Sequence, residues 1–292
     1  VISAAVDWGS SWFRAYRFDS SGNHIDSISA ECGIKFVEDK GFESTLRAQI
    51  GHWISPGDAV VLSGMITSRN GWVESNYIKC PANLNDIVKC CSRATSTDTE
   101  FLFLPGISQS VPVDVMRGEE LQLLGATQQS KSNIFVIPGT HSKWAVVEDM
   151  TVKEFRTIPT GELFDLLIRH SLIGALAEES NHNETAFNQG VETGFETSHI
   201  VSDLFTTRSS ILLKQKTGCD ACSWLSGLLI GNEIREGQTL TSLDHAPLEV
   251  IGSGALCEKY CVAFEHLGIQ TTTAGPDVTI NGYRHIIQMT QN

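Results

Sequence analysis

The chain has 292 residues, 41% of them hydrophobic and 19% charged, and a net charge of −13. That length suits two domains of ordinary size, each with its own core. The acidic balance excludes a nucleic-acid surface, which needs a concentrated basic face, and leaves any anionic ligand to positioned Arg, Lys, metal or backbone N–H groups. The apolar runs are broken by Gly, Ser or charges well short of membrane-spanning length, and the chain opens into a strand pattern rather than a signal segment. A cytoplasmic protein with no membrane partner is the expectation. Eight cysteines in so large a chain are expected as free thiols. Cys219 and Cys222 have metal-ligand spacing, and Cys257 and Cys261 have helical spacing. Both pairs also lie in apolar helical patterns, where Cys is an ordinary small buried residue.

Val1–Asp7 reads as an apolar strand, Trp8–Ser11 as a small-residue turn, and Trp12–Phe18 as a second strand ending in the hairpin turn Asp19–Asn23. Gly9 lets an anion approach the main chain without meeting a Cβ. Successive N–H groups, with the hydroxyls of Ser10 and Ser11, then form a concavity suited to phosphate oxygens. Asp7 is placed to hold magnesium, usually through water. A third strand is predicted at His24–Ala30, and a helix at Gly41–Ile54 with Phe42, Leu46, Ile50 and Trp53 on one face.

Ala59–Ser63, AVVLS, suits a buried parallel strand. The mixed polar and aromatic loop after it carries Ser68, Arg69, Asn70, Gly71, Trp72, Glu74, Asn76 and Tyr77. Ligands of open α/β sheets bind beyond the carboxyl ends of strands, so this loop is a ligand-side candidate. The competing reading is a surface loop whose Trp72 covers the core. A helix is predicted at Leu84–Arg93, a strand at Glu100–Leu104, and 107–112 as a crossing between lobes. Val113–Ala126 should enter the second lobe by a helix marked by Leu121, Leu124 and Ala126. Glu119 and Glu120 in its first turn have a capping explanation as well as a chemical one.

Ile134–Asp149 repeats the opening device. With Gly139 on Gly9, Thr140 falls on Ser10, Ala145 on Ala15 and Asp149 on Asp19 without a gap, which argues for two similar lobes. A third strand follows at Val152–Thr157, then a helix from Thr160, read as its N-cap, to Leu167. Helical patterns cover Asn183–Gly190, Val201–Thr207 and Ser223–Arg235, the last carrying Ser226, Gly227 and Gly231 for close packing. A strand at Leu248–Ile251, a tight turn Gly252-Ser253-Gly254-Ala255, a helix to His266, a strand at Ile269–Thr273 and a helix at Pro276–Met289 complete the pattern.

The paired loops resemble those of the sugar kinase, heat-shock ATPase and actin superfamily. AVDWGSSWFRAY, LSGMITSRNGWVESNY, VPVDVMRGEELQLLGA, PGTHSKW, RTIPTGELFDLLIRHSLIG and SGLLIGNEI, in that order from Ala5 to Ile234, together resemble the 2-dehydro-3-deoxygalactonokinase family. The resemblance implies an α/β fold of two ribonuclease-H-like (actin-like ATPase) lobes, 1–112 and 113–292, meeting at a central nucleotide cleft. It implies ATP and Mg2+, and a sugar-acid side formed by Ser68, Arg69, Trp72, Glu74, Tyr77 and Arg117. It also places Gly252, Ser253 and Gly254 beside the adenosine, and a catalytic base where the first lobe passes into the helix of the second. That points to Asp114, with Glu119 and Glu120 as rivals.

Phosphoryl transfer asks a protein chiefly for positioning and charge stabilisation. Gly9, Ser10 and Ser11, with Gly139 and Thr140, would hold phosphate oxygens, and Arg14 and Lys143 stand where they can neutralise developing charge. His141 suits a donor beside a phosphate loop better than a base, and no nucleophile elbow of the serine hydrolases is present. The implied activity is transfer of the γ-phosphate of ATP to the terminal (C6) hydroxyl of 2-dehydro-3-deoxy-D-galactonate, giving the 6-phosphate in galactonate catabolism. The alternatives are a polyphosphate or nucleotide phosphohydrolase of the same superfamily and a non-catalytic sugar-acid sensor. The Arg69 and Trp72 loop argues against the first, and the retained acids argue against the second. The oligomeric state is open, a homodimer included.

Overall fold

The computed structural model describes residues 1–127, 134–178, 182–240, 248–252 and 254–291. The chain divides into two compact units, one of 1–130, 147–155 and 275–292, the other of 131–146 and 156–274. In chain order the elements up to residue 127 are β1 (Ile2–Trp8), β2 (Phe13–Phe18), β3 (His24–Ala30), α1 (Phe42–Ile50), β4 (Ala59–Ser63), β5 (Tyr77–Lys79), β6 (Ala82–Asn83), α2 (Leu84–Lys89), β7 (Ser92–Ser96), β8 (Thr99–Phe103), β9 (Gly106–Ser110), β10 (Val113–Met116) and α3 (Glu119–Thr127). There follow β11 (Ile134–Ile137), β12 (Ser142–Glu148), β13 (Thr151–Ile158), α4 (Thr160–His170), α5 (Glu184–Glu196), α6 (Ile200–Leu204), α7 (Thr206–Leu212), α8 (Gly218–Leu240), β14 (Leu248–Val250), α9 (Ala255–His266), β15 (Thr271–Thr273) and α10 (Val278–Gln291).

The main sheet of the first unit has the order β3-β2-β1-β4-β8-β7. β1 pairs antiparallel with β2 and parallel with β4, and β4 pairs parallel with β8. Every residue of β4 is buried, as a parallel strand covered on both faces requires. At the edge, β3 exposes polar His24, Asp26, Ser27 and Ser29 in whole or part, which discourages further pairing. Phe42, Leu46 and Ile50 form one stripe of α1, which packs on a core where the Trp8 ring meets Phe13 edge-on at 4.9 Å and Phe42 at 5.9 Å.

In the second unit β11 pairs antiparallel with β12 and parallel with β14, and β14 pairs parallel with β15. This is the arrangement of β1 with β2, β4 and β8, so each unit carries the ribonuclease-H-like core that the resemblance implied. Its core gathers Ile134, Val136, Trp144, Phe187, Val191, Ile230, Ile234, Tyr260 and Phe264. No helix among the described residues is long and apolar enough to cross a membrane.

Several expectations need correction. Segment 107–112 is not a crossing: β9 and β10 form an antiparallel hairpin, extended by β5, within the first unit. The helix expected from Val113 begins only at Glu119, because Val113–Met116 is the second arm of that hairpin. α3 stays in the first unit, where α10 returns to pack on it. The helix predicted to Arg93 stops at Lys89 and gives way to β7, whose alternation was too weak to read. Thr160 is the first helical residue of α4, and Pro159 holds the cap position.

Glycines set the closest helix contacts in both units. A Cβ on Gly125 of α3 would stand 1.9 Å from the Val278 carbonyl oxygen, and one on Gly282 of α10 would stand 2.3 Å from that of Leu121. Between α5 and α8, Gly194 faces the Leu228 oxygen at 2.0 Å and Gly231 that of Val191 at 2.2 Å. Backbone oxygens cannot yield as side-chain ends do, so a methyl group there forces the helices apart. Alanine favours a helix interior over glycine by about 1 kcal/mol, yet overpacking costs about 1–3 kcal/mol. Gly231→Ala is therefore expected to lower stability, read as a lower urea midpoint with an unchanged m-value.

Candidate active site

The β1–β2 turn is held from behind. Gly9 N–H donates to the Trp12 carbonyl at 2.9 Å, and the carbonyls of Gly9, Ser10 and Ser11 accept from Ile34, Lys35 and Gly33 at 3.0, 3.3 and 3.0 Å. Gly33 permits that approach: a Cβ there would stand 2.3 Å from the Ser10 oxygen and the Ser11 nitrogen. Among the described residues nothing accepts from the N–H groups of Ser10 and Ser11, which leaves them for an anion. Gly9 itself is not crowded, since an added Cβ would lie 3.6 Å from the nearest atom.

The β11–β12 turn is built alike. The Thr140 carbonyl accepts from Glu162 N–H at 3.0 Å, and a Cβ on Gly161 would stand 2.6 Å from the Gly139 oxygen. Gly139 N–H donates to Ser142 Oγ at 3.4 Å, and nothing among the described residues accepts from the N–H groups of Thr140 and His141. Lys143 is buried, and its ammonium donates to the His141 carbonyl at 3.2 Å. The His141 ring pairs with Glu162 at 2.7 Å on the surface.

Asp7 lies near the end of β1, paired with Arg14 at 3.2 Å. Burial pushes its carboxyl above the usual range, and Arg14 opposes that shift. Two left-handed glycines give it room. A Cβ on Gly64 (φ +84°) would stand 3.0 Å from Asp7 Oδ1, and one on Gly118 (φ +108°) 3.4 Å from the Gly64 Cα. The ends of β1 and β4 and the start of α3 thus meet at one carboxylate. Among the described residues no group of three or more His, Cys, Asp or Glu side chains could cage a metal. A single carboxylate with open backbone beside it suits Mg2+, which keeps its waters and takes its other ligands from phosphates.

At the head of α3, the Glu119 carboxylate accepts from Arg117 N–H at 3.0 Å and that of Glu120 from Gly118 N–H at 2.7 Å. Both therefore make the capping contacts expected of acids at a helix N-terminus. Glu120 is 1% exposed; burial, and then the Glu119 charge, push its carboxyl up to about 8. Asp114 stands in β10, where its side chain accepts from Val115 N–H at 2.7 Å.

Arg117 donates to Thr67 Oγ1 at 2.5 Å and to the Ser75 carbonyl at 2.8 Å, with its guanidinium 4.4 Å from the Tyr77 ring centre. It ties the loop after β4 to the start of α3. Ser68 Oγ donates to the Met65 carbonyl at 2.7 Å. Trp72 packs on Phe101 and Phe103 at 4.8 and 5.3 Å, so its ring does what the competing reading gave it and covers the core. Arg69 and Glu74 are exposed. Gly252 (φ +136°) and Gly254 (φ +80°) flank the connection from β14 to α9, and Ser253 lies outside the described residues. A Cβ on Gly252 would stand 2.6 Å from Cys257 Sγ, so the turn requires glycine whether or not a ligand borders it.

Sequence reasoning missed Gly33, Gly161, Gly64 and Gly118, and with them Thr67 and Ser75. Each matters through a contact with a segment distant in the chain, and an isolated glycine in the sequence does not announce its neighbour.

Two ribonuclease-H-like units, each with a glycine-led turn between its first two strands, place the chain in the actin-like ATPase and sugar kinase fold class. A component of (R)-2-hydroxyglutaryl-CoA dehydratase from Acidaminococcus fermentans shares that fold at a TM-score of 0.53 and 11% identity over the whole of both chains. Within the class, residues 7–286 match the family model described as 2-keto-3-deoxy-galactonokinase, and the chain belongs to that family. It is 34% identical over 292 residues to the 2-dehydro-3-deoxygalactonokinase of Escherichia coli (strain K12), covering 99% of this chain and 98% of that one. A crystal structure of a candidate 2-dehydro-3-deoxygalactonokinase from Sinorhizobium meliloti superposes with a TM-score of 0.90 at 32% identity, covering 99% of this chain and 98% of that one.

The buried Glu120 gives stability a pH dependence of defined sign. Folding raises its pKa from 4.5 to about 8, so the folded state holds a proton that the unfolded chain has lost. That contribution is full below about pH 4.5 and disappears as pH rises through about 8. Glu120→Gln should flatten the fall in melting temperature across that window, measured against wild type in matched buffers.

Proposed function

We propose that this chain transfers the γ-phosphoryl group of ATP to the terminal (C6) hydroxyl of 2-dehydro-3-deoxy-D-galactonate, giving the 6-phosphate, as a cytoplasmic step of galactonate catabolism. The observation that carries the reading is the 34% identity to a 2-dehydro-3-deoxygalactonokinase across 99% of the chain. The geometry of the two turns supports it. The N–H groups of Ser10 and Ser11, and of Thr140 and His141, are assigned to phosphate oxygens, since their own carbonyls are tied down from behind.

Asp7 is the proposed magnesium ligand, and Arg14, released from Asp7, turns to phosphate charge. Asp7 would hold Mg2+ chiefly through its waters, and the ion would supply positive charge against the phosphates. Lys143 steadies the second turn through the His141 carbonyl and adds positive charge beneath it. Arg69 is assigned to the substrate carboxylate, which a guanidinium can grip with two parallel N–H bonds. Arg117, Tyr77, Ser68 and Trp72 shape the loop that carries it, with Glu74 at its rim. Gly252 and Gly254, and Ser253 between them, are assigned to the adenosine side.

The base is assigned to Asp114, which precedes α3 as the resemblance implies. Glu119 and Glu120 stand in the first turn of that helix, where capping accounts for them, and Glu120 holds its proton near neutral pH. A primary alcohol is a very weak acid, so the carboxylate takes the proton as transfer proceeds.

Release of ADP on adding 2-dehydro-3-deoxy-D-galactonate, and not with other 2-keto-3-deoxy acids, is the expected result of a coupled assay. ADP release without any sugar acid would overturn the reading in favour of a phosphohydrolase. In the same assay Asp114→Asn should lower kcat by about 10²–10⁴-fold with the KM for ATP kept. Unchanged turnover would move the base to Glu119 or Glu120.

A further inference from the structure

Beneath the β11–β12 turn lies a buried polar chain that no phosphate-loop motif calls for. Glu233, on the core-facing side of α8, is 1% exposed. Its Oε1 accepts from the Trp144 indole N–H at 2.9 Å, and its Oε2 accepts from the Tyr260 hydroxyl at 2.5 Å. Thr160, at the head of α4, and Ser142 also hydrogen-bond to this carboxyl. The Tyr260 hydroxyl lies 2.9 Å from Ser142 Oγ, and Ser142 Oγ accepts the Gly139 N–H. One helical turn beyond Glu233, Gly237 makes room for the indole: a Cβ there would stand 2.4 Å from it. Burying a carboxylate is costly unless donors surround it, and an apolar side chain of the same size would fill the space without that cost. The chemistry of Glu233, rather than its volume, is what the site uses.

The protons in this chain run one way. An indole can only donate, and a tyrosine hydroxyl has one proton. Tyr260 donates that proton to Glu233 and has only lone pairs left for Ser142, whose hydroxyl donates inward to Tyr260 or to the Glu233 carboxylate itself. The Ser142 proton is thus turned inward, and only lone pairs remain toward Gly139. We propose that Glu233 is a positioning residue of the phosphate site: through Tyr260 and Ser142 it draws the Gly139 N–H inward and fixes the turn so that the N–H groups of Thr140 and His141 serve the nucleotide. The inference rests on the reading of this turn as a phosphate-binding turn. Burial raises the Glu233 pKa, and its hydrogen bonds work against that shift.

A glutamine at 233 would keep the volume and reverse the chain. Its amide oxygen must face Trp144 and its NH2 group must face Tyr260, which then donates to Ser142 and sends the Ser142 proton toward the turn. E233Q should raise the KM for ATP roughly tenfold, the worth of one hydrogen bond in a shaped anion site, and leave the KM for the sugar acid as it is. Tyr260→Phe, which keeps the ring, should do the same, and the double variant should be no worse than the weaker-binding single, because both break one chain.

Gly139→Val, which blocks the turn itself, is the control arm. If it raises the KM for ATP while E233Q and Tyr260→Phe do not, the positioning role is overturned and the phosphate turn stands. If it leaves that KM unchanged, the phosphate reading falls and this inference with it. Should E233Q show no cooperative melt, Tyr260→Phe and Ser142→Ala decide by the same KM criterion.

Discussion

A turn that offers N–H groups to an anion must have its carbonyls tied down elsewhere, and this chain meets that requirement twice in the same way. Gly33 lets the backbone of residues 33–35 lie against the first turn, and Gly161 lets the start of α4 lie against the second. Each permits a backbone approach that any Cβ would prevent, and the open geometry of Gly9 and Gly139 depends on it. The repeat visible in the two hairpins therefore extends to their supports.

Around the first turn the same economy of small residues places the acids. Gly64 and Gly118 take left-handed conformations that bring the ends of β4 and the start of α3 to Asp7. Arg117 then binds Thr67, Ser75 and Tyr77, so the loop assigned to the sugar acid is mechanically joined to the helix whose first turn carries Glu119 and Glu120. Beneath the second turn lie a buried carboxylate, three hydroxyls and an indole. The first turn is backed by main chain alone, and the second has a hydrogen-bond chain from the core beneath it as well.

Much of this was legible in residue order. The AVVLS strand, the α1 stripe of Phe42, Leu46 and Ile50, and the two glycine-led hairpins follow from period and turn chemistry, which are local. Expectation failed where tertiary pairing overrode local signal. Segment 107–116 lacks a strong hairpin turn, yet β5 and β9 pair in parallel and draw it into a small sheet. Trp72 sits in a polar loop, and its packing on two phenylalanines from β8 was not to be read from its neighbours in the chain. Glu233 was passed over inside an apolar helix, because its partners come from β12, α4 and α9.

By itself the sequence determined the family, the ribonuclease-H-like repeat and the two turns, because these depend on neighbours within a few residues and on motifs in fixed order. Only the tertiary structure decided which glycines support those turns, that α10 returns to α3, that Glu119 and Glu120 cap a helix, and that a carboxylate lies under the second turn. Those outcomes depend on which distant backbone arrives at a given Cα and on which donors surround a buried charge, and contacts of that kind leave no period in the chain.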